Sequence, residues 1–179
     1  MNRPTAAICQ IAYPCPAGTL LLASCEDKLI LCDWSAGLHR DAIAKRLARR
    51  LGTDFSALRS PAASPVIDQA RRELDEYFAG RRHAFDLPIR LFGTPFQMRV
   101  WEALLAIPYG ETRTYSDMAA AAGSPRAVRA AGTAIGENAL SILVPCHRVL
   151  SSDGTLGGYG GGLDAKRLLL RLEGALSRP

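Results

Sequence analysis

The run Ile142-Leu143-Val144-Pro145-Cys146-His147-Arg148-Val149 constrains this chain more than any other stretch. An apolar segment stops at a proline and then presents a thiol beside an imidazole. The residue types permit two accounts of Cys146. It is a small buried hydrophobe, as free cysteines often are, or it is a nucleophile activated by the neighbouring base. The octapeptide alone favours the first.

The rest of the chain sets the frame. With 179 residues there is material for one large or two small domains with a substantial core. A hydrophobic fraction of 48% and a charged fraction of 22% are those of a globular protein. No stretch approaches the roughly 18 apolar residues of a membrane span, and Met1-Asn2-Arg3-Pro4 opens no signal peptide. A cytoplasmic protein without a membrane partner is expected. Five cysteines, Cys9, Cys15, Cys25, Cys32 and Cys146, are an odd number and do not suit a disulfide framework. The first four lack any C-x2-C knuckle, so no metal site is expected and buried thiols in strands are the simpler account. The net charge of +5 favours an anionic partner only weakly, and no polybasic run marks a nucleic-acid tail.

In the first half, Ile8–Ala12 reads as a short strand. Thr19–Cys25 and Leu29–Trp34 flank Glu26-Asp27-Lys28 as a hairpin. Residues Asp41–Leu51 carry Ile43, Leu47 and Leu51 on one stripe, which predicts a helix ended by Gly52. Its Lys45-Arg46-Arg49-Arg50 run reads as the solvated face. After a loop over 53–63, Ser64-Pro65 caps a helix that runs through Ile67, Leu74, Tyr77 and Phe78 to Gly80. Ala84–Leu91 reads as an edge strand carrying one proline. This half shows no catalytic constellation.

Phe92-Gly93 is the expected boundary, giving domains 1–92 and 93–179. Thr94-Pro95-Phe96-Gln97 combines an N-cap, a first-position proline and a capping-box glutamine. The following helix is expected to bury Phe96, Val100, Leu104 and Leu105, with Trp101 at the edge of the stripe. Thr114 caps a helix over Tyr115–Gly123. Ser124-Pro125 starts another, carrying Arg126 and Arg129 to about Gly136. Two short helices around a Gly-Ser-Pro turn form a helix-turn-helix pattern, compatible with plain core packing or with DNA binding. The second helix offers small side chains and arginines, with no Asn or Gln to read adenine edges, which suits contact by shape more than by base sequence. Gly157-Gly158-Tyr159-Gly160-Gly161-Gly162 is a glycine-rich loop that lacks the phosphate-loop pattern; such a loop allows close approach to backbone. The last helix, Asp164 to about Glu173, ends on an acid that opposes the helix dipole, so Glu173 needs a partner, and a histidine would serve.

These elements together resemble the O6-alkylguanine-DNA alkyltransferase family over roughly Gly93–Gly174. The matching residues include Gly93-Thr94-Pro95-Phe96-Gln97, Val100-Trp101, Ile107-Pro108, Gly110-Glu111-Thr112, Tyr115, Arg129-Ala130, Asn138, Pro145-Cys146-His147-Arg148-Val149, Gly158-Tyr159 and Glu173. The first half matches only in outline. The resemblance implies an α+β fold: a ribonuclease-H-like N-terminal domain with an antiparallel sheet, then a mainly helical domain with a winged-helix-like helix-turn-helix. It implies that Cys146 takes the alkyl group from O6 of guanine once and irreversibly, with O4 of thymine as a second donor left open, and with no cofactor. His147 would be the base, through a bridging water, and Glu173 would orient it. Tyr115 would assist the leaving guanine, and Asn138 would hold the turn before an active-site strand. Arg129, Ala127, Arg126 and Tyr115 would meet the minor groove of double-stranded DNA around a flipped base. Val149, Tyr159 and Gly160 would line the base pocket. A monomer is expected, with cooperativity on DNA left open. Ala139 stands where many members have proline, and Gly160 where some have serine. Zinc ligation known in part of the family is not carried over, since only Cys25 lies at a comparable place. A non-catalytic lesion sensor and a Cys-His hydrolase remain the alternatives.

Overall fold

In the computed structural model, which describes residues 8–52 and 64–176, three strands open the fold: β1 (Ile8–Cys15), β2 (Gly18–Cys25) and β3 (Lys28–Trp34). They pair antiparallel in the order β1-β2-β3. β1 is longer than the expected Ile8–Ala12, because Pro14 sits on the edge strand, where a missing N–H costs no ladder bond. The turn predicted at Glu26-Asp27 is present, with Glu26 at φ 54°.

The register shifts at Ala23/Ser24: Ala23 faces Leu31 while Ser24 faces Leu29, leaving Ile30 as the extra residue of a bulge. The bulge sends Ile30 and Leu31 to one side of the sheet together with Ile43 and Leu47 of α1 (Arg40–Leu51). The opposite side, with Leu20, Leu22, Leu29, Cys32 and Trp34, packs against α2 (Pro65–Phe78) and the whole second half of the chain. The sheet is therefore covered on both faces, which is why β3 is buried over nearly its full length.

Local signals set most helix boundaries. Ser64 Oγ accepts from Ile67 N–H at the start of α2. Thr94 and Gln97 form a reciprocal capping box on α3 (Pro95–Leu105). Thr114 and Asp117 do the same on α4 (Tyr115–Ala121). Gly52 closes α1 in the left-handed conformation at φ 69°. The expected loop over 53–63 lies outside the described residues.

Five expectations are corrected. Ala84–Leu91 is not a strand; only Ile89 bridges, to Leu29, with Leu29 N–H donating to Pro88 O and Arg90 N–H to Leu29 O. Trp101 is not at the edge of its stripe but is 1% exposed, whereas Leu105 is 46% exposed. α3 packs against both α4 and α5, so its buried face is wide and turned toward Trp101, whose indole donates to Ala134 O at 2.8 Å. Arg46 does not join Lys45, Arg49 and Arg50 in solvent: it is half-buried, lies over the Trp101 ring and donates to the Glu137 carbonyl at 2.7 Å. α5 spans Val128–Gly136, so Ser124-Pro125-Arg126 form the turn and Arg126 stands outside the helix. Finally, the stretch before Cys146 is no strand. Ala139–Val144 makes single bridges at Leu140 and Ser141, Cys146–Arg148 is a 3-10 turn, and β5 (Val149–Leu150) pairs parallel with β4 (Arg113–Thr114). α6 (Leu163–Leu172) ends the fold.

Candidate active site

The 3-10 turn places Cys146, His147 and Arg148 inside the molecule, all under 10% exposed. His147 Nε2 meets Glu173 Oε1 at 2.8 Å. Glu173 is the C-cap of α6, so the acid that opposes the dipole does have its histidine. It has more than that. Arg148 Nε donates to Oε2 at 2.7 Å and Arg148 Nη2 to Oε1 at 3.0 Å. Tyr77, from α2 in the first half, donates to Oε1 at 2.7 Å. Burial alone would raise the Glu173 carboxyl, but hydrogen bonds and charge from His147 and Arg148 outweigh it and bring it down to about 2. Burial in turn keeps the His147 pKa low, against the pull of Glu173.

Those two directions fix the tautomer. An ionised carboxylate only accepts, so Nε2 carries the proton and donates to Glu173. Nδ1 then holds the basic lone pair; it is buried and meets no partner among the described residues. The arrangement is an oriented neutral imidazole with its base site free.

Asn138 follows α5 and is buried. Its Oδ1 accepts from Leu140 N–H at 2.9 Å, while Nδ2 donates to Val144 O at 2.8 Å and to Cys146 Sγ at 3.2 Å. One side chain thereby closes the 138–144 turn and aims an N–H at the sulfur. Burial nevertheless pushes the thiol up to about 11, with Asn138 the largest opposing influence.

Cys146 opens onto a cavity of about 110 Å³ lined also by Asp33, Leu38, His39, Tyr115, Asn138, Ser141, Gly158, Tyr159 and Gly160. Tyr115 Oη donates to Gly158 O at 3.3 Å, and burial raises its pKa. Gly157 stands at φ +63° with Tyr115 Oη 3.1 Å from where a Cβ would sit, so the loop passes the tyrosine only as glycine. Gly161 approaches the Trp34 ring so closely that a Cβ would lie 2.5 Å from it. Lys166, fully buried on α6, pins this loop by donating to the carbonyls of Val149, Leu156 and Gly158.

The predicted residues thus fall into groups. Cys146, His147, Glu173 and Asn138 come together, and Tyr115, Tyr159 and Gly160 line the cavity above the sulfur. Val149 does not line it: the first residue of β5, it is fully buried, with its N–H donating to Cys146 O and its carbonyl accepting from Lys166. Arg126 and Arg129 are exposed on the outer side of the helix pair, and Ala127 is the N-cap of α5 beside them. Sequence reasoning missed Tyr77, Arg148, Lys166, Asp33 and Ser141. Arg148 stood in the quoted signature, but nothing in the sequence placed it against Glu173. The others are joined by contacts across the chain that no local pattern carries.

The DNA-binding domain model of 6-O-methylguanine DNA methyltransferase matches residues 95–175, and the ribonuclease-like domain model of the same protein matches residues 8–91. A methylated-DNA–protein-cysteine methyltransferase of Methanosarcina barkeri is 53% identical over 158 residues, 88% of this chain and 92% of the relative. This chain belongs to the 6-O-methylguanine DNA methyltransferase family. The Methanosarcina acetivorans methyltransferase is 51% identical over 91% of this chain and 96% of its own length. Among solved structures, Mycobacterium tuberculosis OGT in complex with DNA superposes with a TM-score of 0.77 at 39% identity, covering 94% of this chain and 92% of that one. The mixed α+β architecture, with an N-terminal antiparallel sheet and a helical second half, is that of the methyltransferase family.

Proposed function

We propose that this chain repairs alkylated DNA directly, by moving the alkyl group from O6 of guanine to its own Cys146. The observation that carries the proposal is the contact series Glu173–His147, with Asn138 on the sulfur, at the floor of a cavity that opens beside an exposed helix pair.

Sγ attacks the alkyl carbon, the carbon–O6 bond breaks, and a thioether forms. The thiol proton passes to His147 Nδ1 through a bridging water, since neighbouring side chains of a tight turn do not meet directly. Glu173 stabilises the imidazolium that results. Tyr115 gives up its weak bond to Gly158 and donates its proton to the departing guanine, whose O6 returns to a carbonyl; the proton that the thiol gave to His147 makes good the one that Tyr115 lost. A thioether has no easy return step, so the protein acts once. The sequence holds no nucleotide-binding motif, and these steps need no cofactor.

A guanine within a duplex hides its O6, and Cys146 is only 7% exposed, so the base must leave the stack to reach it. Arg129 is exposed in the first turn of α5, and Arg126 is exposed in the turn that precedes it. We assign Arg129 to the vacated stack, Ala127 to close packing in the minor groove, and Arg126 to the neighbouring phosphate. Tyr159 and Gly160 bound the base; the Tyr159 hydroxyl is buried without a partner among the described residues and can bond a ligand. The proposal takes residues 1–92 and 93–179 as two domains of one monomer acting in the cytoplasm.

The test is where the alkyl group goes. After incubation with an oligonucleotide bearing O6-methylguanine, the Cys146 peptide gains one methyl by mass spectrometry, and Cys146→Ala gains none. A methyl found instead on Cys9, Cys15, Cys25 or Cys32 would refute the assignment.

A further inference from the structure

The cavity above Cys146 is smaller than the group it is asked to hold. Its volume is about 110 Å³, whereas a dry protein cavity of about 150 Å³ takes up one benzene ring. A guanine has two fused rings and carries the alkyl group as well. Part of the base therefore stands outside the enclosed space, and the mouth contributes to holding it. That mouth is formed in part by the first half of the chain. Between β3 and α1 the backbone turns tightly, with Gly37 N–H donating to Trp34 O at 3.0 Å and Arg40 N–H to Gly37 O at 3.2 Å. On this turn Leu38 and His39 line the cavity together with Cys146. The turn is anchored on both sides. Leu38 N–H donates to Gly160 O of the glycine loop at 3.2 Å. The His39 ring fits over Gly136 at the end of α5, with Nε2 2.7 Å from where a Cβ would sit.

The Leu38 side chain is nevertheless 81% exposed. Among the described residues that line the cavity, Leu38 and Gly158 are the exposed ones, and glycine has no side chain to offer. A single exposed leucine on a protein surface is ordinary. This one is fixed by its backbone at the mouth of a cavity too small for its ligand. Little is left to order when it is covered, and its apolar surface gains by leaving water. Leucine offers nothing to a phosphate, so the surface it complements is the face of a base and not the DNA backbone.

We propose that Leu38 is a substrate-contact residue that closes over the ring face of the alkylated guanine at the mouth, while Tyr159 and Gly160 bound the base within. The inference rests on alkyl transfer to Cys146 and adds to that site a specificity-determining residue from the first half of the chain. Its role differs from that of Arg129, which is assigned to the duplex: Leu38 meets the base whether or not DNA carries it.

The experiment measures second-order rates of alkyl uptake on Cys146 by mass spectrometry, with a duplex bearing O6-methylguanine and with free O6-benzylguanine. Leu38→Ser is expected to slow both reactions about five- to thirtyfold, the factor for losing part of a leucine's burial. The two factors should agree within about threefold, since the lost contact is to the base in each case. Leu38→Met keeps an apolar side chain of adaptable shape and should stay within about twofold of wild type. Thermal melts of the three proteins should coincide, because the side chain already stands in water in the free fold. Unchanged rates in Leu38→Ser, or a loss confined to one of the two substrates, would overturn the proposal. A lowered melt of Leu38→Ser would overturn it too, by making the loss one of folding. Wild type that takes no alkyl group from either substrate would remove the repair assignment and this role with it. Wild type that reacts, but no faster than Leu38→Ser, would remove the role of Leu38 alone.

Discussion

Glu173 shows how much a single side chain can be asked to hold. Its two oxygens take His147, both arms of Arg148, and Tyr77 from the other half of the chain. Tyr77 and His147 share Oε1, so the tyrosine hydroxyl draws off charge that would otherwise make the imidazole more basic. Tyr77→Phe should therefore move the acid limb of the pH–rate profile upward, because His147 must be neutral to accept the thiol proton. An unmoved limb would reduce Tyr77 to packing. The same variant should cost about 1–2 kcal/mol in denaturant unfolding, as for a hydrogen bond to a charged group. Replacing Glu173 by Gln should cost more, about 3–5 kcal/mol, since Arg148 is left buried and unpaired. The pH signs of the two buried acids are opposite. The Glu173 pKa is lowered to about 2, so its contribution is present above the usual 4.5 and is lost as pH falls toward 2. Asp33 is raised to about 6 from 3.8, chiefly by burial, so its charge is a cost that appears as pH rises through that window. Asp33→Asn should accordingly stabilise the fold at pH 7.5 by up to about 2 kcal/mol and change little at pH 3.5, read by thermal melts at the two values.

At the level of elements, the helix pair and the glycine loop divide the work between DNA and the base. Arg129 is exposed on α5 and touches none of the reacting groups, so Arg129→Ala should slow methyl uptake from duplex DNA at least about tenfold, with reaction toward free O6-benzylguanine nearly unchanged. Equal losses on the two substrates would remove Arg129 from base flipping. Within the loop, a Cβ at Gly160 meets nothing within 4 Å, while one at Gly161 strikes Trp34. Gly160→Ser should melt as the wild type does, and Gly161→Ala should lose about 1–3 kcal/mol by overpacking. The elements were legible where local chemistry decides them. Ser64-Pro65, Thr94-Pro95-Phe96-Gln97 and Thr114 each marked a helix start that the capping bonds bear out. Elsewhere packing overrides the local pattern. Ala84–Leu91 has strand-like composition but finds only one bridge. Trp101 became the centre of α3 because two helices pack on it and Gly93 lets its ring through. The apolar run before Cys146 was read as a strand, yet Asn138 folds it into a turn.

For the molecule as a whole, one core joins the halves: Leu20, Trp34, Leu74 and Tyr77 share it with Trp101, Leu140, Val149 and Leu169. Polar ties cross the same seam, among them Tyr77–Glu173 and Asp33–Ser141, which lie 96 and 108 residues apart in sequence. Separations of that length are invisible to periodicity and capping rules, which explains why the sequence of the first half shows no part of the site. The nucleophile, base and orienting acid were legible because they follow a local signature and one oddly placed helix-end acid. The residues that tune them were not. A fragment of residues 93–179 should therefore lack a cooperative melt, since it leaves Leu140 and Glu173 without their partners. The central claim is that Cys146 is spent on a single lesion. Titrating the protein with excess duplex carrying O6-methylguanine, and counting repaired lesions at completion, tests it most directly. The account predicts a plateau at one lesion per protein molecule, with the methyl on Cys146. Repair that continues past one lesion per molecule, or a plateau with Cys146 unmodified, would contradict it.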